Sequence, residues 1–145
     1  MRLRATRGDG ASTLMLMPAG LLVVLIMASI AVDMSVVQLR QRQAHDLASA
    51  AANDAATAAA DQVALRAGTY VADEEVADAV VIQVVMASEL APLVVGTPDV
   101  QVTADGVEVE LAIRAEYVFA GVMPGAPDGT TVRATATGRV AGVAG

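Results

Sequence analysis

Of the groups that can serve as base, nucleophile or metal ligand, the chain carries a single histidine, His45, and no cysteine. His45 stands beside Asp46 and one helical turn from Gln41, and its imidazole is the one group of its kind that could serve as a ligand. On a surface helix the same three residues are ordinary solvated polar groups, and this is the reading preferred here. Asp73, Glu74, Glu75 and Asp78 supply oxygen ligands of the kind a hard cation takes, but without the Gly-punctuated loop of a calcium site. Acids at the start of a helix are accounted for by the positive end of its dipole. Asp33 closes an uncharged run and reads as an interface marker, placed where a helix end can reach water. No P-loop, dinucleotide glycine fingerprint, nucleophile elbow or paired-histidine zinc motif occurs. The absence of Cys excludes disulfides, thiolate metal sites and thiol nucleophiles. The expectation is a protein that is not an enzyme, with no catalytic, cofactor-binding or metal-binding residues and no small-molecule substrate.

The element that would position everything else is the uncharged run 14–32, extended backwards by Ser12 and Thr13, whose hydroxyls can bond to the helix's own carbonyls. Nineteen residues at about 1.5 Å each span roughly 28 Å, close to the roughly 30 Å hydrocarbon core of a bilayer. Pro18 and Gly20 fall in the first turns, where they disturb a helix least. Arg2, Arg4 and Arg7 precede the run and no Arg follows it before Arg40, so the positive-inside rule puts the N-terminus in the cytoplasm. Residues 1–10 are then a cytoplasmic basic tip, 11–33 a transmembrane helix and 34–145 an extracytoplasmic domain, in a single-pass protein of the cell membrane. Ser29 and Ala31 also form the small-x-small pattern of a signal-peptidase site, and cleavage there would instead give a secreted protein. The run is longer than a signal h-region, and the helical pattern continues beyond the site.

From Asp33 onward six Arg stand against fifteen acids, a balance that repels nucleic-acid phosphates and makes nucleic acid a poor partner. Met34 to Ala67 has neither Pro nor Gly and is crowded with Ala, which predicts that the membrane helix runs on and ends at Gly68. Its small or apolar stripe is Val36, Leu39, Gln43, Leu47, Ala51, Ala55, Ala59 and Val63. Alanine at this density either supplies helix propensity alone or leaves a smooth surface for another element to approach. A second helix begins at Asp73, buries Val76, Ala79, Val80, Gln83, Val84 and Ala87, and stops before Pro92.

The last third alternates with period 2. Val107, Val109, Leu111, Ile113, Ala115, Tyr117 and Phe119 make one face of a half-buried strand, and Asp105-Gly106 reads as a two-residue hairpin turn pairing Val102 with Val109 and Val100 with Leu111. A third strand carries Val132, Ala134, Ala136 and Val140 inward, with Arg133 and Arg139 able to face the glutamates of the middle strand. The fold class is α+β: a single N-terminal transmembrane helix continuing into a long Ala-rich helix, packed with a second helix on a three-stranded antiparallel meander.

Arg7-Gly8 before an uncharged span with Pro18, then Ala31-Val32-Asp33, Arg40, Arg42, Gln43-Ala44, Asp46 and the Ala-rich stretch 48–60, resembles the N-terminal region of TadE/TadG-like proteins. These are pilin-like components of the tight-adherence (Flp) pilus and its secretion machinery, here of the actinobacterial type. The resemblance covers roughly residues 7–60. It implies a pilin-like assembly component whose partners are the lipid bilayer and other pilus or secretion-machinery proteins, the latter engaged through the Ala-rich helix. One position departs from prepilin-peptidase substrates: the fifth residue after Gly10 is Met15 rather than Glu. The alternative from another class is a freestanding membrane-anchored extracytoplasmic binding or sensor module.

Overall fold

The computed structural model describes residues 9–60, 71–122 and 124–139. Arg2, Arg4, Arg7, Val63, Gly68 and Val140, each given a role above, lie outside the described residues. Helix α1 spans Asp9–Ala58, 50 residues or roughly 75 Å of rod. It is followed by helix α2, Glu74–Ala87, and by strands β1 (Asp99–Thr103), β2 (Gly106–Glu116) and β3 (Gly129–Gly138). The strands form one antiparallel sheet in the order β1-β2-β3. The expected α+β class is what the chain adopts.

Ala, Leu and Met sustain α1. Pro18 lies well inside it rather than in its first turns, because the helix already begins by Asp9. Its C-terminal end comes earlier than propensity suggests. At Ala59 the chain leaves the helix, Ala60 bridges to Ala72, and the Asp73 N–H donates to the Ala59 carbonyl. Tertiary pairing thus overrides an alanine run that would otherwise stay helical. Helix α2 starts where expected, with Asp73 Oδ1 accepting from the N–H groups of Glu75 and Val76 at 3.0 and 3.2 Å. Its buried face is Ala77, Val81 and Val85, one residue round from the expected face, which leaves Val76, Ala79, Gln83 and Ala87 exposed. It ends at Ala87 with the Ser88 hydroxyl donating to the Val85 carbonyl, and Pro92 falls in a separate 3-10 turn, Ala91–Leu93.

In the sheet, inward and outward faces follow the expected alternation, but the β1–β2 register is displaced by two residues. Val102 pairs with Val107 and Val100 with Val109, so Ala104 and Asp105 form the turn instead of Asp105 and Gly106. Neither turn residue adopts positive φ, and Gly106 serves close packing: a Cβ there would collide with the Gly138 carbonyl. A displacement of two preserves which side chains face the core. Strand β2 ends at Glu116, so Tyr117 and the exposed Phe119 leave the sheet. Arg133 sits opposite Ala112; the described ion pairs join Arg114 to Asp128 at 2.7 Å and to Glu116 at 3.9 Å.

The core lies between α1, α2 and the inner face of the sheet. Ala44, Ala48, Ala51, Ala52, Ala55, Ala56 and Ala59 of α1 meet Val107, Val109, Leu111 and Ile113 of β2 and Val132, Ala134 and Ala136 of β3. The buried stripe is rotated toward Ala44 and Ala48, leaving Leu39 55% exposed. Small residues on the helix accommodate the bulkier side chains of β2, so the two backbones come close. Gly138 lies against the backbone of Ala52 and Asn53, with no room for a Cβ.

Candidate functional site

Asp33 divides α1 into two unlike halves. On its N-terminal side the large apolar residues from Leu16 to Val32 are exposed, Met17 by 76% and Leu25 by 58%. On its C-terminal side the alanines are covered by the sheet and α2. Within the exposed half, the hydroxyl of Ser29 donates to the Leu25 carbonyl at 2.8 Å, and at the boundary that of Ser35 donates to Ala31 at 2.8 Å. Hydroxyls turned back onto the helix present no unpaired polar atom to their surroundings. This is the one helix among the described residues long and apolar enough to cross a membrane.

The junction itself is a clamp. Asp33 is only 8% exposed, and its carboxylate gathers three successive backbone N–H groups from the loop after β2: Val118 at 2.7 Å and Phe119 at 3.0 Å to Oδ1, and Ala120 at 2.9 Å to Oδ2. Asp33 is therefore a buried tertiary ligand and not a solvent-facing interface marker. These donors lead into the short 3-10 turn Ala120–Val122, whose first N–H groups have no partner of their own within the turn. The carboxylate fixes the lower end of the sheet to the helix where the exposed apolar surface begins. Only an acceptor with two oxygens can take all three donors in this geometry. Nothing local in the sequence signals the contact, since its partners are 85–87 residues away.

Beside the clamp, Ile26, Ser29, Ile30, Asp33, Phe119 and Ala120 line a mostly apolar cleft of about 370 Å³. Val118, Phe119 and Val122 on the loop are exposed by 52%, 46% and 80%.

The residues singled out for chemistry do not converge. His45 and Asp46 lie on the exposed face of α1, in an open groove of about 500 Å³ shared with Gln38, Gln41, Arg42, Arg133 and Thr135. Asp73 is committed to capping α2, and Glu74, Glu75 and Asp78 point to solvent on its first turns. Among the described residues no group of three or more His, Asp or Glu could hold a metal ion. The alanine stripe, expected to receive a partner protein, is occupied by the chain's own sheet and second helix, with Ala48, Ala52 and Ala55 fully buried. No family model matches the chain, and no curated protein or solved structure is significantly similar to it.

Proposed function

We propose that the protein is a membrane-anchored, pilin-like component of a tight-adherence pilus or secretion apparatus, held in the cell membrane by the first half of α1 with its folded domain outside the cytoplasm. The observation that carries this reading is the division of one continuous helix at Asp33, with a bare apolar rod on one side and an alanine face packed on an antiparallel sheet on the other. A rod of this kind is unstable in water as a lone element and is at home in lipid, where all its backbone groups are satisfied internally. The resemblance of residues 7–60 to TadE/TadG-like proteins supplies the apparatus. Retention of the rod is favoured over cleavage after Ala31, which would leave Asp33 on the second residue of a fraying helix end and unfasten the clamp.

With the alanine stripe used inside the fold, contacts with other apparatus components fall to the rod and to the outer faces of the domain. Deletion of the gene is expected to impair assembly or secretion of surface appendages and adherence while leaving growth on defined media unchanged. Restoration by the full chain, but not by a chain starting at Asp33 behind a cleavable leader, completes the test. Unaltered piliation and adherence in the deletion strain would refute the assignment.

A further inference from the structure

We propose that the loop 118–122 is a membrane foot, a second lipid-contacting element that dips into the leaflet on the domain side and seats phospholipid acyl chains in its cleft against α1. The proposal rests on the reading of α1 as a membrane span and goes beyond it, since a single-pass anchor requires no contact between its folded domain and lipid.

Three observations converge on this loop. The first is its surface: the chain's one Phe and two Val side chains are exposed together, and residues 117–127 carry no charge. Phe119 faces Ile26 and Ile30 across the cleft, so the apolar surface of the rod continues onto the loop there. The second is the state of the backbone. An irregular loop normally cannot enter hydrocarbon because its N–H groups would be left unpaired. Here Val118, Phe119 and Ala120 donate to Asp33, Tyr117 donates to the Asp128 carbonyl at 2.9 Å, and Val122 donates to the Phe119 carbonyl at 3.2 Å. Asp33 thereby pairs three of the loop's N–H groups and lowers the cost of placing it in an apolar medium. The third is depth. Ile30 and Ile26 lie one and two turns below Asp33, which puts the cleft about 5–10 Å toward the rod's N-terminus. Interfacial apolar elements bury to about that depth. Beside the loop, Asp128 lies against Gly121 and pairs with Arg114 at 2.7 Å, which marks the polar edge of the foot.

The chain has no Trp, so Phe119→Trp and, separately, Leu21→Trp each install a single fluorophore in the full-length protein. Leu21 is twelve residues below Asp33, about 18 Å along the rod and near mid-bilayer. Each variant is reconstituted in phosphatidylcholine vesicles whose acyl chains are brominated either close to the headgroup or close to the tail end. For Phe119→Trp the expected result is blue-shifted emission, quenched more strongly by bromine near the headgroup; for Leu21→Trp, stronger quenching by bromine near the tail. Quenching at position 21 with none at position 119 overturns the foot while leaving the anchor standing. Loss of quenching at both positions overturns the membrane reading itself. Blue-shifted emission at position 119 without lipid quenching identifies a second copy of the chain as the occupant and also overturns the proposal. Adding Asp33→Ala to Phe119→Trp should abolish quenching at position 119 while the sheet domain stays resistant to protease; undiminished quenching would show that Asp33 does not hold the loop in lipid.

Discussion

At Gly138 the backbones of α1 and the sheet lie close together, and Gly138→Ala tests whether alanine on α1 serves packing or only helix propensity. The new methyl group would fall on the backbone of Ala52 and Asn53, which cannot rotate away as a side chain would, so β3 and α1 must separate. A gap of ~0.5–1 Å forfeits about a quarter to a half of the dispersion between facing atoms. The fully buried alanines within one turn of the contact are Ala48, Ala51, Ala52, Ala55 and Ala56. At about 0.8 kcal/mol for each methyl the five contribute roughly 4 kcal/mol, of which roughly 1–2 kcal/mol would be lost. That agrees with the lower part of the range of about 1–3 kcal/mol for overpacked cores. For a domain of about 100 residues the midpoint should fall by roughly 4–16 °C. The assay is the fraction of sheet domain surviving a protease pulse as temperature is raised, with the full chain in detergent micelles. Gly20→Ala, which meets nothing within 4 Å, should melt with the parent. Adding Ala52→Gly should not rescue Gly138→Ala, because the obstruction is main chain. A Gly138→Ala protein melting with the parent, or rescued by Ala52→Gly, would refute the close approach.

Ala55→Leu should destabilise the domain by about 1–3 kcal/mol in the same assay, whereas Ala58→Leu, on the exposed side of the same helix, should be nearly neutral; equal tolerance would leave propensity as the only role of the alanines. Replacing Arg2, Arg4 and Arg7 with Glu should weaken cytoplasmic retention of the N-terminus and reduce the signal of a C-terminal reporter active only outside the cytoplasm; a fully active reporter would refute the orientation.

Features carried by local periodicity were legible in the chain. The uncharged run 14–32, the acids opening α2 and the alternation from Val107 to Ala115 each reflect a rule that acts within a few residues, and each forms the expected element. Features set by contact between distant segments were not. The end of α1 is decided by the Ala60–Ala72 bridge, against the propensity of the alanines before it. The hairpin turn is decided by Gly106 being needed against Gly138, which moves the turn back onto Ala104 and Asp105. The displaced turn left the core faces intact, because a two-residue displacement retains the faces of a strand, whereas the buried stripe of α1 turned toward Ala44 and Ala48 to meet the sheet.

Asp33 is the case in which an illegible contact bears on function. An acid at the end of an apolar run has two physical fates: it can reach water, or it can be consumed by backbone donors brought from elsewhere. Sequence position cannot separate them, since both put the same residue at the same level of the helix. In the fold the second applies, and it does more than satisfy a charge. By taking three N–H groups from one loop it adds to the alanine face in setting the sheet against the helix, and it holds Phe119 and Ala120 beside Ile26 and Ile30. A flexibly tethered domain could turn any face toward a neighbour; this one is keyed to its rod. In the proposed assembly, rotation of the rod would set which faces of neighbouring domains meet, because the continuous helix, its alanine face and the Asp33 clamp together tie the rod to the domain.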